Sequence, residues 1–286
     1  MKTLIQLSDP HLSPAHGFFH GNFSLVVEAI NRRAPDMVVS SGDLSINGPE
    51  TVDDLAFARW CHDRINAPVL FLPGNHDIGE EPGGEHLHQP LTAERLAAWR
   101  THFGDHRWHS DVEAWRLIGL NSQLFNTGTA EESDQWDWLQ ALLEEADGPA
   151  GIFLHKPIHE RDPGQPPDPR NVVSLAAGER LTRLFQAHGV RFVASGHRHQ
   201  RRARDIGGIS HIWCPSTAFM PTTPEPECDP ALGFLEFTFD GADYSVAFHA
   251  PEGLTPHVLG PLKENGRYEF LKDVPPRPVD VDWRGA

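Results

Sequence analysis

Cysteine, methionine and tyrosine are scarce in this 286-residue chain, at three, three and two residues. No apolar run approaches the length of a membrane span. Three thiols, Cys61, Cys214 and Cys228, give neither a disulfide framework nor a Cys-x-x-Cys metal site. They fit reduced thiols in a cytosolic protein. Positive charge is also short, because 24 Lys and Arg face 40 Asp and Glu for a net charge of −16. A diffuse acidic surface disfavours binding to nucleic acid polymers and anionic membranes. Bound dications would reverse that sign locally, so a small anionic substrate stays open. Met1 to Leu7 enters a strand-like run at once, too short for the apolar region of a signal peptide. A soluble cytoplasmic protein is the expectation.

What is present is alternation. Leu4–Leu7, Met37–Val39, Val69–Leu72, Gly151–Leu154 and Arg191–Ala194 read as strands. Helical patterns fall between them at 24–33, 50–65, 92–103, 134–146 and 178–188, with a hairpin-like pair over 107–121. Beyond residue 200 the pattern becomes strands alone, at 201–206, 209–214, 232–239 and 243–249. An α/β chain with two sheets packed face to face and helices outside follows from this order. Pro-rich stretches at 161–169, 221–230 and 275–278 read as loops and tail. Residues 1–250 form one domain in this reading. Residues 251–286 are a tail that docks on the body or on a second subunit, leaving a homo-oligomer open.

Five polar clusters follow apolar runs, each where a buried strand would emerge at a sheet edge. They are Asp9-Pro10-His11, Gly42-Asp43, Gly74-Asn75-His76-Asp77, His155 and Gly196-His197-Arg198-His199. Singly, most have ordinary readings: Asp9 before Pro10 as a turn residue, Asp43 as a turn or N-cap residue, His155 as a core histidine. With 18 histidines, about one His-x-His pair is expected by chance, and His86-x-His88 in a Gly/Pro-rich loop fits that role. Five coincidences at five strand ends need a joint explanation, and ligand sites in α/β sheets favour strand ends. Asp9, His11, Asp43, Asn75, His155, His197 and His199 supply three oxygen-bearing and four imidazole ligands. That mixture suits Mn, Fe, Zn or Co better than Ca or Mg, and seven ligands suit two divalent metal ions. Such a pair needs a bridging carboxylate, supplies a hydroxide near neutral pH and clamps both oxygens of a phosphoryl displacement.

The ordered set Asp-x-His, Gly-Asp, Gly-Asn-His-Asp, His and Gly-His-x-His resembles the calcineurin-like metallophosphoesterase superfamily, over residues 2 to about 218. The resemblance implies a four-layer αββα sandwich of two mixed sheets flanked by helices. It implies that Asp9, His11 and His199 hold one metal, that Asn75, His155 and His197 hold the other, and that Asp43 bridges them. His76 is then the catalytic group beside the metals, protonating the leaving oxygen or stabilising transition-state charge. Asp77 supports the loop or a neighbouring imidazole. The Val-Asp-Arg-Gly run that follows Gly-Asp in the protein Ser/Thr phosphatases is replaced here by Asp43-Leu44-Ser45-Ile46-Asn47-Gly48. The chain is more similar to bacterial cyclic-nucleotide and glycerophosphodiester phosphodiesterases of the class III type. Many members have His-Pro-Pro where this chain has His155-Lys156-Pro157, placing an unusual cation near the site.

Two loops are expected to face the metals. Residues 15–23 interleave aromatics with His and Asn, so Phe19, His20 and Asn22 are candidate substrate contacts, unless the Phe side chains simply pack on the first helix. Pro215 to Met220 is the second, and 79–90 reads as a mobile lid. A phosphodiesterase acting on small organic diesters by attack of a metal-bridging hydroxide is the leading expectation. A phosphomonoesterase is the nearest rival, a repair-type nuclease a more distant one, and a non-catalytic scaffold of the same fold the alternative from another class.

Overall fold

Alternate residues of the strands enter different cores, and that division builds the layers. The computed structural model describes residues 1–82, 89–160, 168–221, 223–258 and 277–284. In chain order the elements are β1 (Lys2–Leu7), α1 (His20–Arg33), β2 (Met37–Ser41), α2 (Val52–His62), β3 (Val69–Leu72), the single turn α3 (Asn75–Ile78) and α4 (Ala93–Phe103). Then come β4 (Trp108–Val112), β5 (Trp115–Leu120), α5 (Ala130–Glu144), β6 (Ala150–Leu154), α6 (Leu175–Ala187) and β7 (Val190–Ser195). β8 (Arg202–Ile206), β9 (Ile209–Trp213), β10 (Phe219–Met220), β11 (Phe234–Asp240), β12 (Asp243–His249) and β13 (His257–Val258) complete it.

One sheet has the order β12-β11-β1-β2-β3 and the other β4-β5-β6-β7-β9-β8. β1, β2 and β3 run parallel, as do β5, β6, β7 and β9, while the remaining strands of each sheet pair antiparallel. Leu4, Val39 and Leu72 of the first sheet meet Leu117, Phe153, Phe192 and Ile212 of the second in one buried core. Their neighbours Ile5, Leu7, Val38 and Phe71 face the other way, against α1, α2 and α4. Ile118, Ile152, Leu154 and Val193 likewise pack under α5 and α6. Helix, sheet, sheet, helix is the result, as the two-sheet reading expects. Truncating a buried aromatic of the shared core, such as Phe192, to Ala would cost about 3–5 kcal/mol.

Three helices begin earlier than their periodicity suggests, at residues 20, 130 and 175 rather than 24, 134 and 178. For α5 the signal was there: Thr129 Oγ1 accepts from the Glu132 N–H at 3.3 Å, a Thr-x-x-Glu start that apolar spacing does not register. For α1, Gly21 and Asn22 are poor helix formers, and tertiary bonds to Asn22 override that preference. The helix expected over 50–65 is shorter, ending at His62.

The described tail residues lie on the body. β13 pairs with β10, the Gly17 N–H donates to Arg277 O at 2.8 Å, and the Val279 N–H donates to Pro14 O at 3.0 Å. Trp283 packs edge-on against Phe57 with centroids 5.5 Å apart, and Arg284 pairs with Asp53. His86-x-His88, most of the expected lid, most of 161–169 and the tail over 259–276 lie outside the described residues.

Candidate metal centre

All five polar clusters emerge at the carboxyl ends of parallel strands: β1, β2, β3, β6 and β7. Asp9, His11, Asp43, His197 and His199 all adopt positive φ, between 45° and 67°. L-residues pay roughly 1–2 kcal/mol for that left-handed conformation, so its concentration here marks a functional centre. The reversals fall at the exits of β1, β2 and β7. Paired backbone bonds hold them there: Asp9 N–H to Gly42 O and His11 N–H to Asp43 O, both at 3.0 Å. Between the sheets, the His197 N–H reaches both Asp9 carboxylate oxygens at 3.0 and 3.2 Å.

The side chains converge in two groups. Ligand atoms of Asp9, His11, Asp43 and His199 lie within 4.8 Å of one another, and so do those of Asp43, His155 and His197. Asp43 belongs to both. Asn75 joins the second group, with Oδ1 3.2 Å from His155 Nε2. His11 and His199 point their Nε2 atoms at each other across 3.2 Å, and His197 Nδ1 faces His155 Nε2 at the same distance. At most one proton can sit in such a gap, so lone pairs converge on one point, with Asp9 Oδ1 3.1 Å from His199 Nε2. A divalent cation fits that donor set.

The electrostatics agree. Burial pushes the His11 imidazole down to about 3 despite Asp43 beside it, leaving it neutral and able to donate a lone pair. Burial, then the neighbouring His155, also holds His197 well below its usual range. For Asp43, burial alone would raise the carboxyl, but His155 and then His76 outweigh it and keep it well below the carboxylate range. His155 shows the reverse balance: burial lowers it, yet Asp43 wins and raises it to about 9. Without a cation, His155 carries the positive charge that balances Asp43.

The structure assigns Asp77 its task. Its carboxylate accepts from the Gly74, Leu44 and Ser45 N–H groups at 2.8, 3.2 and 2.9 Å and from Ser45 Oγ at 2.7 Å. It therefore clamps the loop carrying Asp43 rather than an imidazole. Gly74 has extended backbone, so left-handed freedom is not its reason. A Cβ there would land on the Asp43 carboxylate. Gly42, with φ 102°, has both reasons, since a Cβ would strike the His155 ring.

His76 sits beside both groups, its ring centroid 4.5 Å from that of His11, and its N–H donates to Asp43 Oδ1 at 2.9 Å. Its Nδ1 lies 3.0 Å from the Ile46 carbonyl, an acceptor only, so Nδ1 carries the proton and Nε2 the lone pair. Burial, opposed by Asp43, holds its pKa well below the usual value. The neutral ring thus offers a proton acceptor at Nε2, and the expected acid role requires a protonation that burial resists.

Phe19, His20 and Asn22 are not brought into the ligand groups. The Asn22 amide donates to Ala218 O and Thr255 O at 3.3 and 2.9 Å, and its oxygen accepts from the Thr255 N–H at 2.8 Å. His20 packs against Phe57 and Trp60. Phe19 touches the centre at one remove, through Phe219 at 5.3 Å between centroids. These contacts are scaffold contacts, because the early start of α1 turns the segment into packing surface. Phe219 belongs to the Pro215 to Met220 stretch that the sequence pointed at the centre, although the residue itself was not singled out. It lies 4.1 Å from the His199 ring and 4.9 Å from that of His11, at the start of β10.

The sequence profile of the calcineurin-like phosphoesterases matches residues 2–201. A probable cyclic nucleotide phosphodiesterase of Synechococcus is 28% identical over 221 residues, spanning 74% of this chain and 76% of its own. The 3′,5′-cyclic adenosine monophosphate phosphodiesterase of Escherichia coli is 28% identical over 235 residues, or 75% of each chain. A serine/threonine-protein phosphatase of Danio rerio is 30% identical over 202 residues, covering 64% of this chain and 59% of its own. A dimetal phosphatase from Danio rerio shares the fold with a TM-score of 0.60 at 17% identity, over 87% of this chain and 96% of that one. With this ligand cluster at the strand ends that the profile spans, the chain belongs to the calcineurin-like phosphoesterase family and is a metal-dependent phosphoester hydrolase.

Proposed function

We propose that the chain is a two-metal phosphodiesterase of small organic diesters, of the cyclic nucleotide or glycerophosphodiester kind. The observation that carries this reading is the sharing of Asp43 between two ligand groups. Asp9, His11 and His199 would hold one ion, Asn75, His155 and His197 the other, with Asp43 common to both. The mixed imidazole and oxygen donors favour Mn, Fe, Zn or Co. When bound, the ions supply an activated water and neutralise the charge of the phosphoryl group.

The chain's own residues then position and move protons. The Asp43 carboxylate is fixed by the His76 N–H and by the loop that Asp77 clamps. His76 Nε2, on a ring with 21% of its side chain exposed, is placed to take a proton and return it to the leaving oxygen.

A diester is favoured over a monoester by the state of the nearby cations. Arg198 is held by Glu225 and Glu160, Arg170 pairs with Asp168 at 2.6 Å, and Lys156 pairs with Glu81 at 3.4 Å. A monoester dianion calls for an uncommitted arginine fork, whereas a diester carries one charge less. The cyclic nucleotide enzymes among the relatives support the same choice. The test is a panel on Mn-loaded protein: bis(p-nitrophenyl) phosphate, p-nitrophenyl phosphate, cyclic nucleotides and glycerophosphodiesters. Diesters turned over at least about tenfold faster than monoesters are expected, and the reverse ratio would overturn the reading.

A further inference from the structure

Lys156 follows the ligand His155, is fully buried, and has no part in the chemistry above. Its Nζ lies 3.4 Å from Oε1 of the equally buried Glu81 and donates to the Pro169 carbonyl at 3.0 Å. Stability is a poor account of this pair. Taking both charges out of water costs at least as much as their attraction returns unless every lone pair is satisfied. Among the described residues Glu81 Oε2 has no hydrogen-bond partner, and burial pushes the Glu81 carboxyl up to about 7 even with Lys156 alongside. Two apolar side chains would fill the same space.

The geometry gives the ammonium another purpose. Pro169 precedes Arg170, whose carbonyl accepts from His197 Nε2 at 2.8 Å. That bond leaves Nδ1 of His197 facing His155 Nε2 and the shared carboxylate. Residues 168–172 form a turn closed on Asp168, with the Asn171 and Val172 N–H groups donating to its carbonyl at 2.9 and 3.2 Å. The turn's shape is thus internal, but its position against the end of β6 is set by ties to the body. Among them are the Val173 N–H to Pro157 O at 3.0 Å, the Asn171 side chain to Glu160 at 2.7 Å and to Arg198, and Lys156 to Pro169 O. The Lys156 tie holds the main-chain carbonyl one peptide before the one that orients His197.

We propose that Lys156 is a positioning residue for the Asn75/His155/His197 half of the centre: by holding the Pro169 carbonyl it fixes the Arg170 carbonyl, and through it the ring of His197. The inference rests on the two-metal reading. A partner that orients a ligand histidine is worth about 10–100-fold in metal affinity. The loss should fall mainly on the ion of the His155/His197 half, because the Arg170 carbonyl of this turn holds His197.

Two variants separate positioning from charge balance. Glu81→Gln keeps the Lys156 to Pro169 bond, whereas Lys156→Met/Glu81→Gln removes it and leaves no unpaired buried charge. Lys156→Gln/Glu81→Gln, whose amides can bond each other, serves if the Met version does not fold. Metal-stripped proteins would be titrated with Mn²⁺ by calorimetry, with paramagnetic resonance reporting the spin-coupled pair. Glu81→Gln should bind both ions within about threefold of wild type. The double variant should keep its first ion and bind the second about 10–100-fold more weakly, with the coupled signal lost at two equivalents. A double variant that binds both ions like wild type, or a Glu81→Gln protein that loses the second ion as severely, overturns the inference. A wild-type protein that takes only one ion overturns the two-metal reading itself, and the inference with it.

Discussion

On one side of Asp43, His155 and His197 are each anchored through the far ring nitrogen to a backbone carbonyl, Ser41 at 2.9 Å and Arg170 at 2.8 Å; on the other, His11 and His199 lie against aromatic rings, with Phe219 4.9 and 4.1 Å away. A carbonyl acceptor fixes tautomer and ring rotation together. A packed ring fixes position mainly by excluding other rotamers. The first half should therefore answer to small backbone shifts and the second to lost volume. His62 is a useful contrast, because both its nitrogens are spent, Nδ1 on Ala58 O at 2.7 Å and Nε2 on Ser40 Oγ at 3.0 Å. It is a core histidine with no lone pair to offer, whereas each histidine of the two groups keeps one nitrogen aimed into the cluster.

Asp43→Asn removes what the halves share and should have the largest effect. A fall in kcat/KM of about 10³-fold or more is expected, with circular dichroism and melting temperature retained. An unchanged rate would refute the shared-ligand assignment. His76→Ala should lower kcat by about 10²–10⁴-fold while both ions stay bound, because the ring contacts the cluster without belonging to it. Metal loss on the same scale would make His76 a ligand instead.

Two substitutions then separate the halves. Gly42→Ala drives a methyl group into the His155 ring at a positive-φ position, so the ion on that side should bind about 10–100-fold more weakly. Phe219→Ala opens space behind His11 and His199. Its cost should appear first as about 3 kcal/mol of stability in denaturant titration, with a smaller weakening of the other ion. If Phe219→Ala weakened the His155/His197 ion instead, the contrast would be wrong.

A pH-dependent effect concerns His62. Burial lowers its pKa to about 4 from 6.5, so the folded state favours the neutral ring. The stability this confers is present above pH 6.5 and is lost as pH falls towards 4, on the order of 3 kcal/mol in all. His62→Gln should flatten the denaturation midpoint over that window, and a profile as steep as wild type would contradict the assignment.

The candidate cluster was legible because its residue types are poor choices for strand exits unless a cation offsets their cost. Asp9, His11, Asp43, Asn75, His155, His197 and His199 stood out one strand at a time, and the fold brought them together in two adjoining groups, with Asn75 beside His155. The layers were legible because period-two strands alternate with helical patterns. The substrate face was not. Phe19, His20 and Asn22 look like binding residues in sequence, but α1 starts at His20 and spends them on Phe219, Phe57, Trp60 and Thr255. Nor can a sequence reveal left-handed backbone at non-glycine residues, or that the Arg170 carbonyl orients His197. Both depend on contacts between segments far apart in the chain.

The central claim is that two ions, joined through Asp43, perform diester hydrolysis. Titrating metal-stripped protein with Mn²⁺ while following bis(p-nitrophenyl) phosphate hydrolysis tests it most directly. The account predicts a rate that stays low through the first equivalent, rises with the second and then levels off. Full activity at one equivalent, or none at any ratio with Mn, Fe, Co or Zn, would contradict it.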